Sequence, residues 1–183
     1  MSSSRDSDLG YCIERELVDC AQPVIDALRV AGLSVVTAES CTGGLVAAIL
    51  SHAKNAGDCL HGGFVVYTKA NKAKMLGVER PLLDASGAVN AEVARQMAVG
   101  ALERSPASIA VSVTGVLGPD TDEDGNPAGL VYFAVAREGA PTQVSKRDFG
   151  ERQPDDVRRA AVLHALELLH QGRDKTRGGT RLI

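Results

Sequence analysis

The sequence predicts an α/β fold, a single three-layer α/β/α domain with a mixed, mostly parallel sheet. Short apolar runs typical of buried strands alternate with segments of helical periodicity, as expected for a sheet covered by helices on both faces. The last two predicted strands have no helix between them, so at least one strand is expected to run antiparallel. With 183 residues, 44% of them hydrophobic and 23% charged, the chain has the size and composition of one globular domain.

The predicted elements follow one another along residues 14–171. A first helix spans 14–30 and contains Pro23, which can kink or divide it. Asn90 can cap a later helix that runs to Arg104. The other predicted elements are strands over 33–37, 63–67, 109–113, 130–136 and 143–149, helices over 43–53, 69–76 and 155–170, and a loop rich in Asp, Gly and Pro over 118–128.

Composition argues against several classes of protein. Aromatic residues make up 3% and Trp is absent, which disfavours the stacking surfaces used on single-stranded nucleic acid. A net charge of -3 disfavours general binding to nucleic acid or to a membrane surface. No apolar run approaches the roughly 20 residues that span a bilayer. We therefore expect neither nucleic acid nor a membrane as a partner.

The cysteines and the chain ends lead to three further expectations. Cys12, Cys20, Cys41 and Cys59 form no Cys-x-x-Cys pair, and no signal peptide precedes them, so we interpret them as reduced thiols in a cytoplasmic protein. Residues 1–12 are rich in Ser and charge and are predicted to be disordered. Residues 172–183 are basic and Gly-rich and are predicted to form a loose tail.

One segment joins the first strand to the next helix and carries two nucleophiles. Residues 37–44 read Thr-Ala-Glu-Ser-Cys-Thr-Gly-Gly, so Ser40 and Cys41 fall where the strand gives way to the helix. Such a corner leaves free backbone N–H groups, which suit an anion or the oxyanion formed when Ser40 or Cys41 attacks a carbonyl. The Gly-x-Ser-x-Gly elbow is absent. The sequence therefore predicts an active site here, in a form other than that elbow.

A lysine is the candidate base for Ser40. The histidines all fall in or beside predicted helices or loops away from strand ends, which favours surface or boundary positions: His52, His61, His164 and His170. Lys72 lies about one helical turn beyond Tyr67, where the second strand ends, and Lys69 shares its helix face. Clustered ammonium groups and partial burial both lower a lysine pKa. The spacing alone is equally compatible with an amphipathic helix whose lysines are solvated at the surface and have no catalytic role.

Two further features follow predicted strands. Thr114-Gly115 can offer backbone N–H groups at the edge where ligands of open α/β sheets bind, and we expect it to face one crevice with Ser40. Arg152 comes just past the last strand and can form a fork on a phosphate or carboxylate, with a surface ion pair as the alternative.

The acidic run at 120–126 does not predict a metal site. It matches the first half of a calcium loop, but Val131 occupies the position that requires a bidentate Glu, and a strand replaces the second helix. The spacing of Cys and His fits no zinc motif either.

Taken together, these motifs resemble the CinA C-terminal domain family of competence/damage-inducible proteins. The family's hallmark matches residues 37–44, and further matches fall at 63–67 with Lys72, at 87–95 and at 112–119. The similarity spans about 16–171, in order. The family includes amidohydrolases that convert nicotinamide mononucleotide and water to nicotinate mononucleotide and ammonia, so the resemblance implies this activity and a place in NAD salvage.

The resemblance also implies roles for individual residues. Ser40 would be the nucleophile, Lys72 its base, and Tyr67 the residue that orients the lysine or relays the proton to departing ammonia. The implied oxyanion and substrate contacts are Thr42, Gly43, Gly44, Thr114, Gly115 and Arg152. The mechanism would need no metal and no cofactor. Its partner would be a small-molecule nucleotide, and a homo-oligomer is expected.

Two departures from the family pattern leave room for a different function. The family usually has Ser-Asn-Glu-Ala-Lys after the tyrosine, whereas Lys69 here adds a positive charge near the proposed base. The family's Gly-Pro-Gly-Gly loop becomes an acidic run, which would oppose a phosphate-bearing substrate if it faced the pocket. That loop favours a catalytically weak nucleotide-binding or regulatory module. An amidase that acts on another small carboxamide, or one that uses Cys41 as nucleophile, is also compatible with the sequence.

Overall fold

A five-stranded sheet forms the centre of the domain, in a computed structural model that describes residues 15–173. The strands are β1 (Val35–Glu39), β2 (Leu60–Val65), β3 (Ile109–Gly115), β4 (Leu130–Arg137) and β5 (Ala140–Asp148), in the spatial order β2-β1-β3-β4-β5. β1 pairs in parallel with β2 and with β3, whereas β4 is antiparallel to both of its neighbours. Four of the five strands therefore point the same way, and the predicted mixed, mostly parallel sheet is confirmed.

Helices cover both faces of this sheet. They are α1 (Arg15–Val30), α2 (Leu45–Ser51), α3 (Lys69–Leu76), α4 (Arg80–Ser86), α5 (Ala91–Glu103) and α6 (Pro154–Gly172). Apolar residues of α1, α2 and α6 pack with Val111 and Phe133 on one face. Those of α3, α4 and α5 pack with Val36 and Ala110 on the other. The three-layer arrangement buries both surfaces of the central strands, so β1 is buried along its whole length.

Local sequence signals account for the helix that matters most to the site. Thr68 caps α3 by accepting a hydrogen bond from the N–H of Asn71, and Gly77 ends it with a φ of 72°. A left-handed residue after the last turn is the usual conformation for glycine there. Asn90 caps α5 as predicted, accepting from the N–H of Val93. α1 is continuous through Pro23 and is not divided.

The structure differs from the sequence prediction at several boundaries. β1 lies two residues later than 33–37, because Leu33 packs in the preceding turn while the polar residues Thr37 and Glu39 continue the strand. A short 3-10 helix (Ala56–Asp58) and α4 were not predicted. α6 extends to Gly172, so that residue belongs to the helix and not to the predicted tail. The predictions for residues 1–12 and for the rest of the tail lie outside the described residues.

The carboxyl ends of the parallel strands meet at one edge of the sheet. Ser40, directly after β1, donates its N–H to the carbonyl of Val113 in β3 at 3.0 Å. Val66, directly after β2, donates to the carbonyl of Glu39 at 2.8 Å. This edge is where open α/β sheets bind their ligands. Within residues 15–173, no helix is long and apolar enough to cross a membrane.

Candidate active site

Ser40 and Lys72 are in direct contact at this edge. The Nζ atom of Lys72 lies 2.7 Å from the Oγ atom of Ser40, and it also donates to the carbonyls of Val66 at 3.0 Å and Tyr67 at 3.3 Å. Ser40 is 6% exposed and Lys72 only 1%. The lysine is therefore a base candidate held by three oxygen atoms, with its amine aimed at the serine hydroxyl.

Burial gives Lys72 the proton affinity that this role needs. The loss of solvation lowers the pKa of Lys72 from 10.5 to about 8. A substantial fraction of the amine is then neutral near physiological pH. The sequence predicts that the positive charge of Lys69 contributes, but that charge is paired with the carboxylates of Asp124 and Glu123. Burial, not a cluster of ammonium groups, is the cause of the lowered pKa.

Cys41 is poorly placed to act as the nucleophile. Its side chain is buried, and burial raises the pKa of the thiol to about 12, although the neighbouring Lys72 opposes the shift. Because the thiolate is the reactive form, little nucleophile would be present at neutral pH. The raised pKa of the buried thiol and the contact between Ser40 and Lys72 therefore favour Ser40 over Cys41. Among the described residues, Cys20, Cys41 and Cys59 are free thiols.

Glu39 is a buried carboxylate whose importance the sequence pattern does not reveal. It is fully buried, and it accepts hydrogen bonds from the hydroxyls of Thr37 and Thr42 at 2.9 and 2.8 Å. It also accepts from three backbone N–H groups at the start of α2, those of Gly44, Val46 and Ala47, at 2.9–3.0 Å. A negative charge is stabilised at a helix N-terminus. Glu39 thereby fixes the corner that carries Ser40.

Three of the predicted oxyanion contacts already have hydrogen-bond acceptors within this corner. Gly43 donates its N–H to the carbonyl of Ser40, and Gly44 donates to Glu39, so both groups already have acceptors. The hydroxyl of Thr42 is likewise occupied by Glu39. Within residues 15–173, the N–H groups of Cys41 and Thr42 have no acceptor in another residue. These two N–H groups, directly after Ser40, are therefore available to bind an oxyanion.

A cavity of about 600 Å³, here called the catalytic cavity, opens over Ser40 and Lys72. Tyr67, Thr114 and Gly115 also line it, so the structure brings these predicted residues together with the serine and lysine. Tyr67 reaches Lys72 through its main-chain oxygen, while its side chain is 74% exposed. The hydroxyl of Thr114 donates to the carbonyl of Ala88 at 2.9 Å, which anchors the cavity wall to the segment before α5.

The acidic loop forms part of the same cavity wall. Asp122, Glu123 and Asp124 line the catalytic cavity. Asp124 accepts from Lys69 at 2.6 Å and from the N–H of Ala88 at 3.2 Å. The hydrogen bond between Lys69 and Asp124 raises the pKa of the lysine and lowers the pKa of the carboxyl. The two departures from the family pattern thus contact each other.

Arg152 and the histidines are not brought to the catalytic cavity. Arg152 is exposed after β5 and does not line it, and no histidine of residues 15–173 does so. His61 lies at the start of β2, not in a loop or helix as expected. His164 is buried, not at the surface or boundary, with its Nε2 atom 3.0 Å from the hydroxyl of Ser145. Among the described residues, no group of three or more His, Cys, Asp or Glu could hold a metal ion.

Comparison with known proteins gives the family. The sequence profile of the CinA C-terminal domain matches residues 18–172. This chain belongs to the CinA C-terminal domain family. The nicotinamide-nucleotide amidohydrolase PncC of Escherichia coli K12 is 38% identical over 158 residues, which are 86% of this chain and 95% of that protein. A putative competence-damage inducible protein of Caldicellulosiruptor saccharolyticus is also 38% identical, over 88% of this chain and 38% of its own length.

Solved structures of CinA proteins share the fold. The competence/damage inducible protein CihA of Agrobacterium tumefaciens superposes with a TM-score of 0.83 at 38% identity, over 87% of this chain and 96% of that one. A CinA superfamily protein of Escherichia coli superposes with a TM-score of 0.80 at 35% identity, over 85% and 90% of the two chains. The fold and the family predicted from the sequence are therefore confirmed.

Proposed function

We propose that this CinA-family protein is an amidohydrolase that deamidates nicotinamide mononucleotide to nicotinate mononucleotide and ammonia. The observation that carries the proposal is the 2.7 Å contact between the Nζ atom of buried Lys72 and the Oγ atom of Ser40. The similarity to PncC over 86% of the chain supports the choice of substrate. Such a reaction would place the protein in the pyridine nucleotide cycle, acting on a small-molecule nucleotide in the cytoplasm.

The proposed reaction proceeds through an acyl-enzyme. Neutral Lys72 takes the proton of Ser40 as the hydroxyl oxygen bonds to the carboxamide carbon. The N–H groups of Cys41 and Thr42 stabilise the oxyanion. When the intermediate collapses, the carbon–nitrogen bond breaks and Lys72 returns the proton to the departing ammonia. Water, deprotonated by Lys72, then attacks the ester carbon, the bond from that carbon to the serine oxygen breaks, and Lys72 returns the proton to Ser40. No step uses a metal or a cofactor.

Tyr67 acts in this scheme by positioning Lys72. Its carbonyl oxygen accepts from Nζ together with that of Val66, so the amine is directed toward the serine. Its exposed side chain stands in the cavity wall, where it can contact a bound nucleotide. Thr114 and Gly115 also line the cavity and shape the space beside Ser40.

Ammonia release from nicotinamide mononucleotide, measured with a chelator present, tests the proposal. The wild-type protein should release ammonia and Ser40→Ala should not, whereas Cys41→Ala should retain most of the activity. Ser51→Ala, at the exposed end of α2, is the matched control and should behave as wild type. Activity that survives in Ser40→Ala would overturn the mechanism.

Absence of turnover by the wild-type protein would favour a binding module or an amidase for another carboxamide. The carboxylates of Asp122 and Glu123 in the cavity wall are the observation that favours a nucleotide-binding or regulatory module. A panel of nucleotides in a thermal-shift assay identifies such a module, and a panel of small carboxamides identifies a different amidase substrate. Light scattering of the same preparation tests the expected homo-oligomer.

A further inference from the structure

A second cavity, of about 390 Å³, adjoins the catalytic cavity. Tyr67, Gly115 and Asp122 line both cavities, so the two lie side by side. The far wall of this adjoining cavity is made by the loop after β3 and by Pro154 and Arg158 at the start of α6. A substrate whose carboxamide lies at Ser40 therefore has room to extend toward α6.

Arg158 is the basic residue that lines the adjoining cavity. Its side chain is 38% exposed and is paired with the more exposed carboxylate of Asp155, one turn back on α6. A guanidinium in this position presents planar donors that match a phosphate.

The loop opposite Arg158 offers main-chain donors. Within the described part of the chain, the N–H groups of Leu117, Gly118, Asp120 and Thr121 have no acceptor. The carboxylate of Asp122, in contrast, accepts three hydrogen bonds inside the loop, from the N–H of Asp124 and from the N–H and side-chain amide of Asn126. The loop thus binds one of its own carboxylates, while residues that line the cavity keep backbone N–H groups without an acceptor.

We infer that the adjoining cavity holds the phosphate of the mononucleotide substrate, with Arg158 as its charged contact. The inference rests on the proposed function for the identity of the ligand. It also replaces the sequence-based expectation for Arg152, which lines neither cavity. Asp155 competes with the phosphate for the guanidinium, and it therefore limits the affinity of the subsite.

Calorimetry on Ser40→Ala protein tests the subsite without turnover. Nicotinamide mononucleotide, nicotinamide riboside and ribose 5-phosphate are titrated into this parent and into the same protein with Arg158→Gln, Arg159→Gln, Arg152→Gln or Asp155→Asn. Arg159 is the matched control, because it is the next residue of α6 and pairs with Glu16. Arg158→Gln should weaken the binding of both phosphate ligands by about tenfold or more, and it should change the affinity for the riboside by no more than about twofold. Asp155→Asn should increase the affinity for both phosphate ligands, because the competing carboxylate is removed.

The outcomes separate this inference from the proposed function. Equal losses for mononucleotide and riboside in Arg158→Gln, or a phosphate-specific loss in Arg152→Gln instead, would overturn the subsite. The subsite would also be overturned if the Ser40→Ala parent bound neither phosphate ligand. The turnover of nicotinamide mononucleotide by the wild-type protein decides the proposed function independently of any of these results.

Discussion

Lys69 and Asp124 form an ion pair in the wall of the catalytic cavity, with 2.6 Å between Nζ and Oδ1 across 55 residues of sequence. Glu123 adds a second carboxylate 3.2 Å from the same amine. The basic residue and the acidic loop, each a departure from the family pattern, therefore compensate each other. The lysine offsets part of the negative charge that would repel a phosphate-bearing substrate, and it ties the loop to the start of α3.

Lys69→Met and Asp124→Asn should change substrate affinity in opposite directions. Removing the lysine makes the cavity wall more negative, so the KM for nicotinamide mononucleotide should rise, by about three- to tenfold at low salt. Removing the carboxylate frees the positive charge, so the KM should fall. Both effects should shrink at high ionic strength because the pair is partly exposed. Steady-state kinetics at two salt concentrations measures this, and a rise of KM in both variants would indicate a structural role alone.

The rate should depend on pH through Lys72. The pKa of Lys72 is lowered to about 8, and its neutral form is the base, so kcat/KM should increase with pH and reach half its maximum near pH 8. Below that pH the rate should fall about tenfold per unit. Ammonia release between pH 6 and 10 gives the profile. A rate that is flat between pH 6 and 9 would assign the proton transfer to another group.

The same burial makes Lys72 destabilising at neutral pH. The unfolded chain binds the proton below 10.5 and the folded chain only below about 8, so stability is lost as the pH falls from 10.5 to 8 and the full loss persists below 8. The lost stability is about 3 kcal/mol. Lys72→Met removes this dependence. Its unfolding free energy relative to wild type should therefore decrease by about that amount between pH 7 and 10.5.

Urea unfolding at several pH values measures this difference. Lys74→Met, an exposed lysine of the same helix, is the control and should run parallel to wild type. The raised pKa of Cys41 acts in both proteins and cancels from the comparison. Parallel curves for wild type and Lys72→Met would mean that the folded protein binds the lysine proton as readily as the unfolded chain does.

The sequence could predict that Ser40 and Lys72 lie at one edge of the sheet, because each follows one of two adjacent parallel strands. Strand and helix periodicity placed the ends of β1 and β2 within two residues of where they lie, and the carboxyl ends of parallel strands meet at one edge. The pairing of Lys69 with Asp124 could not be predicted, because an irregular loop has no periodicity to fix where its side chains lie. α4 was missed because seven residues that open with Arg80-Pro81 give too short a pattern.

Glu39 could not be assigned from the sequence for a different reason. A glutamate at the end of a strand ordinarily faces water, and here three of its five donors come from the segment that opens α2 and folds back over it. The nearby Gly63 leaves room for this arrangement, since a Cβ there would lie 2.3 Å from the Thr37 hydroxyl that donates to Glu39. Close packing of β2 on β1 and the buried carboxylate are therefore parts of one local structure.

Glu39→Gln should destabilise the protein and reduce kcat while leaving the pH profile in place. The amide has the shape of the carboxylate, but its nitrogen can accept none of the hydrogen bonds that now converge on Glu39. Loss of charge-assisted bonds to a buried group costs roughly 2–4 kcal/mol of unfolding free energy. Glu103→Gln, an exposed glutamate at the end of α5, should change stability by less than about 0.5 kcal/mol.

Denaturant unfolding and kinetics of the same preparations separate the positioning of Ser40 from the chemistry of Lys72. A looser corner lowers kcat because the serine spends less time 2.7 Å from the amine. The pH at half-maximal rate should stay near 8, because Lys72 keeps its burial and its bonds to Val66 and Tyr67. Wild-type stability in Glu39→Gln would contradict the anchoring role, and a shifted pH midpoint would place Glu39 in the proton transfer instead.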